Sequence, residues 1–267
     1  MEKITLSIII VDYNAGNVLL DCLASIKKHP MPFSYEIIVV DNASRENRTK
    51  EYESVMSHVR TIRLPHNSGF GAGNNAGVKI AKGDYLLLLN PDTLVVDDTI
   101  TTMVSFIQKH EEIGALTCLL YQKNQKMLQK DFFANFQSFS SVLLRKNHGQ
   151  MKNPEKEYFY VQAVTGAALM IKKSLFDQVG GFDERFFMYL EDHDLCQRLV
   201  NLGYKNAVLN KGKIIHLEGQ SSTSQQKKRF YYASQNYYWH KHNGALATTI
   251  MRIMRFPYQM WQFYKSR

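Results

Sequence analysis

Leu6 to Val11 is an unbroken apolar, β-branched run that stops at Asp12-Tyr13-Asn14. That is the pattern of a strand buried on both faces and ended by a turn. Apolar residues then recur at helical spacing at Val18, Leu19, Leu20, Leu23 and Ile26, until Pro30 and Pro32 break the pattern. Glu36 to Val40 predicts a second buried strand, closed by Asp41-Asn42-Ala43-Ser44. A polar helix and a short strand over Val59 to Leu64 come next. A glycine-rich loop then opens a helix, and the very apolar run Tyr85 to Leu89 stops at Asn90-Pro91-Asp92. Strands alternating with helices at this spacing predict an α/β fold with a doubly wound, mostly parallel sheet. Ligands of such sheets bind beyond the carboxyl ends of the strands. Three of the strands end there in acids or amides (Asp12, Asp41-Asn42 and Asn90-Asp92), which cost stability unless they face water or a ligand.

From Glu111 the pattern turns to strands, loops and short helices. Residues 122–160 are polar and aromatic without periodicity and are expected to form a variable loop region lining a substrate site. Gly166-Ala167-Ala168 leads into a small strand and a helix, Asp194 to Val200 reads as a further helix closed by Gly203, and Lys213 to Ile215 as a short strand before His216. The expected division is a domain over 1–222, in two halves of about 1–110 and about 111–222, followed by a helical, basic and aromatic extension over 223–267.

Composition narrows the classes without naming one. A chain of 267 residues, 45% hydrophobic and 21% charged, holds one large globular domain or a domain with an appendage. The cysteines Cys22, Cys118 and Cys196 lie far apart among apolar neighbours, the pattern of buried thiols in a reducing compartment. The N-terminus, Met-Glu-Lys-Ile-Thr, lacks the basic start and cleavage site of a signal peptide, so a cytoplasmic protein is expected. The net charge of +9 favours an anionic partner. Nucleic acid is not the expected one, because the basic residues carry no recognisable docking motif.

Four clusters carry candidate chemistry. Asp92 follows a buried strand and a proline that fixes the chain direction, and with Asn90 it supplies a carboxylate and an amide oxygen. Such oxygens suit a divalent cation shared with phosphates, although a turn acid after a strand reads the same way. Glu191-Asp192-His193-Asp194, preceded by Phe186-Phe187-Met188-Tyr189, packs acids and aromatics where loop turns to helix. Asp192 is the candidate general base for a sugar hydroxyl, and plain helix capping by Glu191 or Asp192 is the alternative. Gly71-Ala72-Gly73-Asn74-Asn75-Ala76 fits a dinucleotide fingerprint, but Pro65 to Phe70 separate it from the preceding strand, which argues against a dehydrogenase. His216 is a lone histidine that either packs structurally or completes the coordination of a cation at Asp92.

Taken in order, Val11-Asp12-Tyr13-Asn14, Val40 to Ser44, Asn67 to Asn74, Leu89 to Thr93, Gly180 to Glu184, Glu191 to Leu195, and His216 with Ser221 resemble the family 2 glycosyltransferases, in particular their bacterial rhamnosyltransferase-like branch. The resemblance covers about residues 5 to 222. It implies a GT-A fold, a Rossmann-like sheet flanked by helices, a nucleotide-diphosphate-sugar donor and a divalent metal, Mg or Mn. It also implies inverting displacement onto a saccharide or lipid-linked acceptor in cell-surface polysaccharide synthesis, with rhamnose as one candidate sugar. Carried over by position, Asp41 contacts the nucleotide base, Tyr13 and Asn14 line its pocket, Asp92 and His216 hold the metal, and Asp192 is the base. Asn42, Asn67, Gly71, Asn74, Asn90, Gly166, Ala167 and Glu191 are the remaining substrate-binding candidates. Asn90 stands where the family often has a second aspartate, which lowers the expected metal affinity in the absence of nucleotide. A catalytically inactive nucleotide-sugar-binding protein is the alternative, and it would have no need for a base at Asp192.

The tail repeats one theme. Gln225 to Arg229 and the aromatics to His240 read as a helix of mixed face, and Leu246 to Arg267 mixes Ile250, Ile253, Met254, Met260, Trp261 and Phe263 with basic residues. Its charges and Pro257 forbid a membrane span. An interfacial helix on the inner face of the plasma membrane is expected of residues 246–267, with packing on the protein's own domain or on a second subunit as the alternative.

Overall fold

The computed structural model describes residues 3–129, 132–144, 155–217 and 224–265. Ser221, one of the residues carrying the resemblance, lies outside them, as do the side chains of the tail beyond Met260. The first half alternates as the hydrophobic pattern predicts: β1 (Leu6–Asp12), α1 (Asn17–Lys27), β2 (Tyr35–Asp41), α2 (Thr49–Val55), β3 (Val59–Arg63), α3 (Phe70–Ile80) and β4 (Tyr85–Leu89). Then come β5 (Thr93–Val95), α4 (Thr99–Ile107), β6 (Ile113–Tyr121), β7 (Phe133–Ala134), α5 (Phe139–Leu144), β8 (Tyr158–Val161), β9 (Ala163–Val164) and β10 (Ala168–Lys172). The chain closes with α6 (Lys173–Gln178), α7 (Glu191–Asn201), β11 (Lys205–His216) and α8 (Ser224–Lys265).

The main sheet has nine strands in the order β3-β2-β1-β4-β10-β6-β11-β5, with β8 also on β11. Strands β3, β2, β1 and β4 run parallel, as do β6 and β11; β10 is inserted antiparallel between β4 and β6. The sheet is therefore mostly parallel and flanked by helices. Alternate residues of β1 face opposite ways, as the two-residue strand period requires. Leu6, Ile8 and Ile10 meet Leu19, Leu23 and Ile26 of α1 together with Met103 and Val104 of α4. Ile9 and Val11 meet Val78 of α3 in the layer that also holds Leu195 and Leu199 of α7. Close approach of α3 to the sheet depends on glycine: a Cβ on Gly77 would sit 2.5 Å from the Ile9 side chain.

Two elements differ from the sequence pattern. β11 is twelve residues long rather than the three from Lys213 to Ile215. It passes through Gly212, at φ 82, with a shift of register between Leu209 and Lys213, so a bulge stands where the residues read as a turn. Within 122–160, expected to be loop, the structure forms β7, α5 and β8. The two tail segments form α8, kinked at Gly244 (φ 82, ψ 175) between the stretches read separately.

The tail helix packs on the domain rather than standing apart. Tyr238, Trp239 and Met251 join Phe186 and Leu190 in one buried cluster, and Arg255 is buried with hydrogen bonds to Gln235 and Asn236.

Candidate functional site

The carboxyl edge of the sheet gathers the candidates from five strands. Asp12 and Asp41 are register partners at the ends of β1 and β2. Asp12 is buried, its Oδ1 accepting the Ala15 N–H at 2.9 Å and its Oδ2 the Tyr52 hydroxyl at 2.9 Å. Burial pushes its carboxyl above the ordinary range, against the pull of those two donors. Asp41 is 1% exposed, and both of its oxygens are in use: Oδ1 accepts the Ser44 N–H at 2.7 Å and Oδ2 accepts Arg63 at 2.8 Å. The strand register explains the ion pair, since Arg63 ends β3 directly beside Asp41. The Asp41 carboxylate therefore holds the turn that follows β2, and each of its oxygens, with one donor, keeps a second acceptor position.

Next to it, Asn42 ties down the loop before α3. Its amide donates to Asn67 Oδ1 and the Gly69 carbonyl, both at 3.0 Å, and its Oδ1 accepts the Ser68 N–H at 2.9 Å. Asn14 adopts φ 59 and receives the Arg45 N–H at 2.9 Å, while Tyr13 is 41% exposed and is the open ring at this edge. Gly71 and Asn74 lie inside instead of lining a surface. A Cβ on Gly71 would sit 3.0 Å from Phe182, and Asn74 is 1% exposed with its amide bonded to the Phe70 carbonyl. The glycine-rich segment thus serves close packing of α3 at these two positions.

Asp92 and His216 meet because β5 pairs antiparallel with the end of β11, Thr93 opposite His216, and the Leu217 N–H donates to the Asp92 carbonyl at 2.9 Å. His216 Nε2 lies 3.1 Å from Asp92 Oδ1 and 3.3 Å from Asn90 Nδ2. On the other side of the ring, Nδ1 lies 2.9 Å from Gln129 Oε1. An amide oxygen only accepts, so with this amide orientation Nδ1 carries a proton, which leaves Nε2 as the ring nitrogen placed to ligate a cation beside the Asp92 carboxylate. A carboxylate oxygen and an imidazole nitrogen converging on one point, with the second ring nitrogen anchored, make a donor set that suits a cation. Among the described residues no cluster of three or more His, Cys, Asp or Glu could hold a metal alone. The residues present fit a divalent cation that takes its other ligands from a diphosphate and water. Gln129 lies in the aperiodic stretch, and no spacing in the sequence pointed to it.

Asp192 stands across Gly166 and Ala167 from this pair. The Asn90 N–H donates to the Ala167 carbonyl at 2.9 Å, and the Gly166 N–H donates to Asp192 Oδ2 at 2.9 Å. Asn90, beside the Asp92–His216 pair, and Asp192 are therefore linked through two adjacent residues, Ala167 and Gly166. Asp192 Oδ1 is 2.8 Å from the His193 N–H and 3.0 Å from its Nδ1. Burial works to raise its carboxyl, but the His193 ring and the Gly166 and His193 amides outweigh it and hold the group below the ordinary range. Two donors fill Oδ1, whereas Oδ2 holds one and keeps a second acceptor position. Glu191 is the opposite case: burial first, then the charge of Asp192, hold its carboxyl well above the ordinary range, and its Oε2 is buried without a partner. The loop leading here is strained, with Tyr189 and Leu190 at φ 71 and 67.

The opposite, amino edge of the sheet has a cavity of about 500 Å³ lined by Lys3, Lys82, Lys172 and Lys173, which contains none of these candidates.

A family model described as glycosyl transferase family 2 matches residues 7–180, and one described as the N-terminal domain of galactosyltransferase matches residues 145–220. The uncharacterized protein y4gI of Sinorhizobium fredii is 29% identical over 84% of this chain, which spans 26% of that protein. Rhamnosyltransferase WbbL of Escherichia coli is 29% identical over 61% of this chain and 66% of its own length. The N-acetylglucosaminyl-diphospho-decaprenol L-rhamnosyltransferase of Mycobacterium tuberculosis is 24% identical, with 81% of this chain and 77% of that protein covered. Among solved structures, GalNAc-T7 with UDP, GalNAc and Mn2+ superposes with a TM-score of 0.70 at 19% identity, over 88% of this chain and 50% of its own. At that identity the likeness is one of fold.

Proposed function

The chain belongs to glycosyl transferase family 2, and from that premise we propose that it is a metal-dependent, inverting glycosyltransferase acting on a nucleotide-diphosphate sugar. The observation that carries the proposal is the link from the Asp92–His216 pair through Ala167 and Gly166 to Asp192. It supports one cleft with a cation at one end and a base at the other. A Mg or Mn ion bound there would neutralise charge developing on the departing diphosphate. Asp92 and His216 would hold it, and Gln129 fixes the ring of His216. Tyr13, Asn14 and the loop braced by Asn42 and Asn67 border the nucleotide. Asp192 Oδ2 takes the proton of the acceptor hydroxyl as its oxygen forms the new bond to the anomeric carbon. The bond from that carbon to the diphosphate breaks on the opposite face, its electron pair going to the phosphate oxygen, and the configuration inverts.

Rhamnose is the candidate sugar, supported by the likeness to the Escherichia coli and Mycobacterium tuberculosis rhamnosyltransferases, and a saccharide or lipid-linked acceptor of cell-surface polysaccharide is the candidate acceptor. The tail supports work beside a lipid surface. After Glu218 the sequence has no acidic residue. Leu246, Ile250 and Ile253 form an exposed stripe on α8 opposite the buried Met251 and Arg255. No described helix is long and apolar enough to cross a membrane. Replacing the three stripe residues by serine should abolish co-sedimentation with anionic vesicles; undiminished binding removes the membrane role.

The function is tested by a screen of nucleotide sugars with Mn2+, scoring protection from thermal unfolding and then release of the nucleoside diphosphate on adding acceptor. One donor should protect and turn over. Protection without turnover by any donor and acceptor favours the inactive binding protein, and protection by none refutes both.

A further inference from the structure

Left-handed backbone at a residue other than glycine is strained, so Tyr189 and Leu190 need surroundings that hold them. Part of them is the Phe70 N–H, which the Phe187 carbonyl accepts at 3.0 Å, and α8 supplies further contacts. The Ser234 hydroxyl donates to the Met188 carbonyl at 2.7 Å, and the Phe186 and Tyr237 rings pack with centroids 4.8 Å apart. The Lys241 ammonium lies 2.8 Å from Asp183 Oδ2 and 2.6 Å from Asp194 Oδ1. Asp183 stands at the start of the strained segment, and Asp194 stands two residues beyond Asp192 in the first turn of α7. We infer that Lys241 is a positioning residue for Asp192, joining both ends of the segment that carries the base, so that the C-terminal helix is part of the catalytic apparatus.

The inference rests on the reading of Asp192 as base and extends it to a residue on another element. Each carboxylate has further partners. Asp183 accepts Arg185 and the Tyr237 hydroxyl, while Asp194 accepts Arg198 and is paired with His242. Removing the ammonium therefore orphans neither acid, and the fold should survive. What is lost is the one side chain, among the described residues, that touches both acids, leaving Tyr237 on Asp183 and His242 on Asp194 as separate contacts of α8. Misplacement of a catalytic group by about an ångström costs up to about a hundredfold in rate without touching the donor site.

The test compares Lys241→Met and Lys241→Arg in the full chain, using the donor found by the screen and Mn2+ with UDP and dTDP as binding probes. Lys241→Met should lower kcat at least about tenfold, leave donor KM and probe affinity within about twofold, and raise amide exchange in residues 183–192 but not in β1 or β4. Lys241→Arg, whose planar fork can still bridge two carboxylates, should recover most of the rate. Wild-type kcat in Lys241→Met overturns the inference, and so does a loss of probe binding in step with kcat, or unchanged exchange in 183–192. Asp192→Asn is run alongside. If that variant keeps its turnover, the base reading has failed, and the exchange data still decide whether Lys241 orders the segment.

Discussion

Replacing Asp192 by Asn removes a charge at nearly constant shape, and the structure separates its two consequences. The carboxylate takes Gly166 N–H on one oxygen and the His193 N–H and ring on the other. An amide has a single oxygen, so it keeps one set and turns its own N–H groups toward the other. Leaving a buried donor unpaired costs about 1–3 kcal/mol, which for a domain of this size lowers Tm by roughly 2–12 °C. Catalysis should suffer more. A positioned general base contributes about 10²–10⁴-fold, or about 3–5.5 kcal/mol of barrier. The assay is steady-state release of nucleoside diphosphate with the donor selected by the screen, beside calorimetric binding of that donor. Turnover should fall at least about a hundredfold while donor affinity stays within about twofold. Turnover within about threefold of wild type, or an equal loss of binding and rate, refutes Asp192 as the base.

Two further outcomes follow from neighbouring groups. Gln129→Leu removes the acceptor that fixes His216 and should weaken Mn2+-dependent nucleotide binding about 10–100-fold, read as a shift of the Mn2+ midpoint; an unmoved midpoint excludes Gln129 as the residue that orients the ligand. The raised carboxyl of Glu191 makes stability fall as pH climbs from the unfolded carboxylate range toward the higher folded value, because the unfolded chain releases that proton first. Glu191→Gln should therefore gain Tm relative to wild type as pH rises above the unfolded glutamate range, about pH 4, and a Tm difference that stays constant as pH rises contradicts the raised carboxyl.

How far the sequence carried this account depended on whether a feature was local. The strands ending at Asp12, Asp41 and Asn90-Pro91-Asp92 were legible because buried parallel strands are continuous apolar runs and their ends are abrupt. β11 was cut short because Asn210-Lys211-Gly212 has turn chemistry, whereas cross-strand pairing to β6 on either side keeps the strand going through a bulge. The burial of Asp41 against Arg63 depends on which strand ends lie side by side, and sequence spacing does not encode that. Gln129 and Lys241 were invisible for the same reason: each acts on a partner far away in the chain, at His216 and at Asp183 with Asp194. Gly71 and Asn74 were expected at a ligand because a glycine-rich loop before a helix has two uses, phosphate approach and tight packing, and these two positions serve the second.

A crystal structure of the protein with Mn2+ and the nucleoside diphosphate of its donor tests the single shared cleft most directly. It should show the cation bound to Asp92 and His216, the diphosphate completing its shell, and Asp192 facing the space beyond the outer phosphate. A diphosphate seated instead in the lysine-lined cavity at the amino edge of the sheet, or a cation that leaves His216 paired with Asp92 as before, would contradict it.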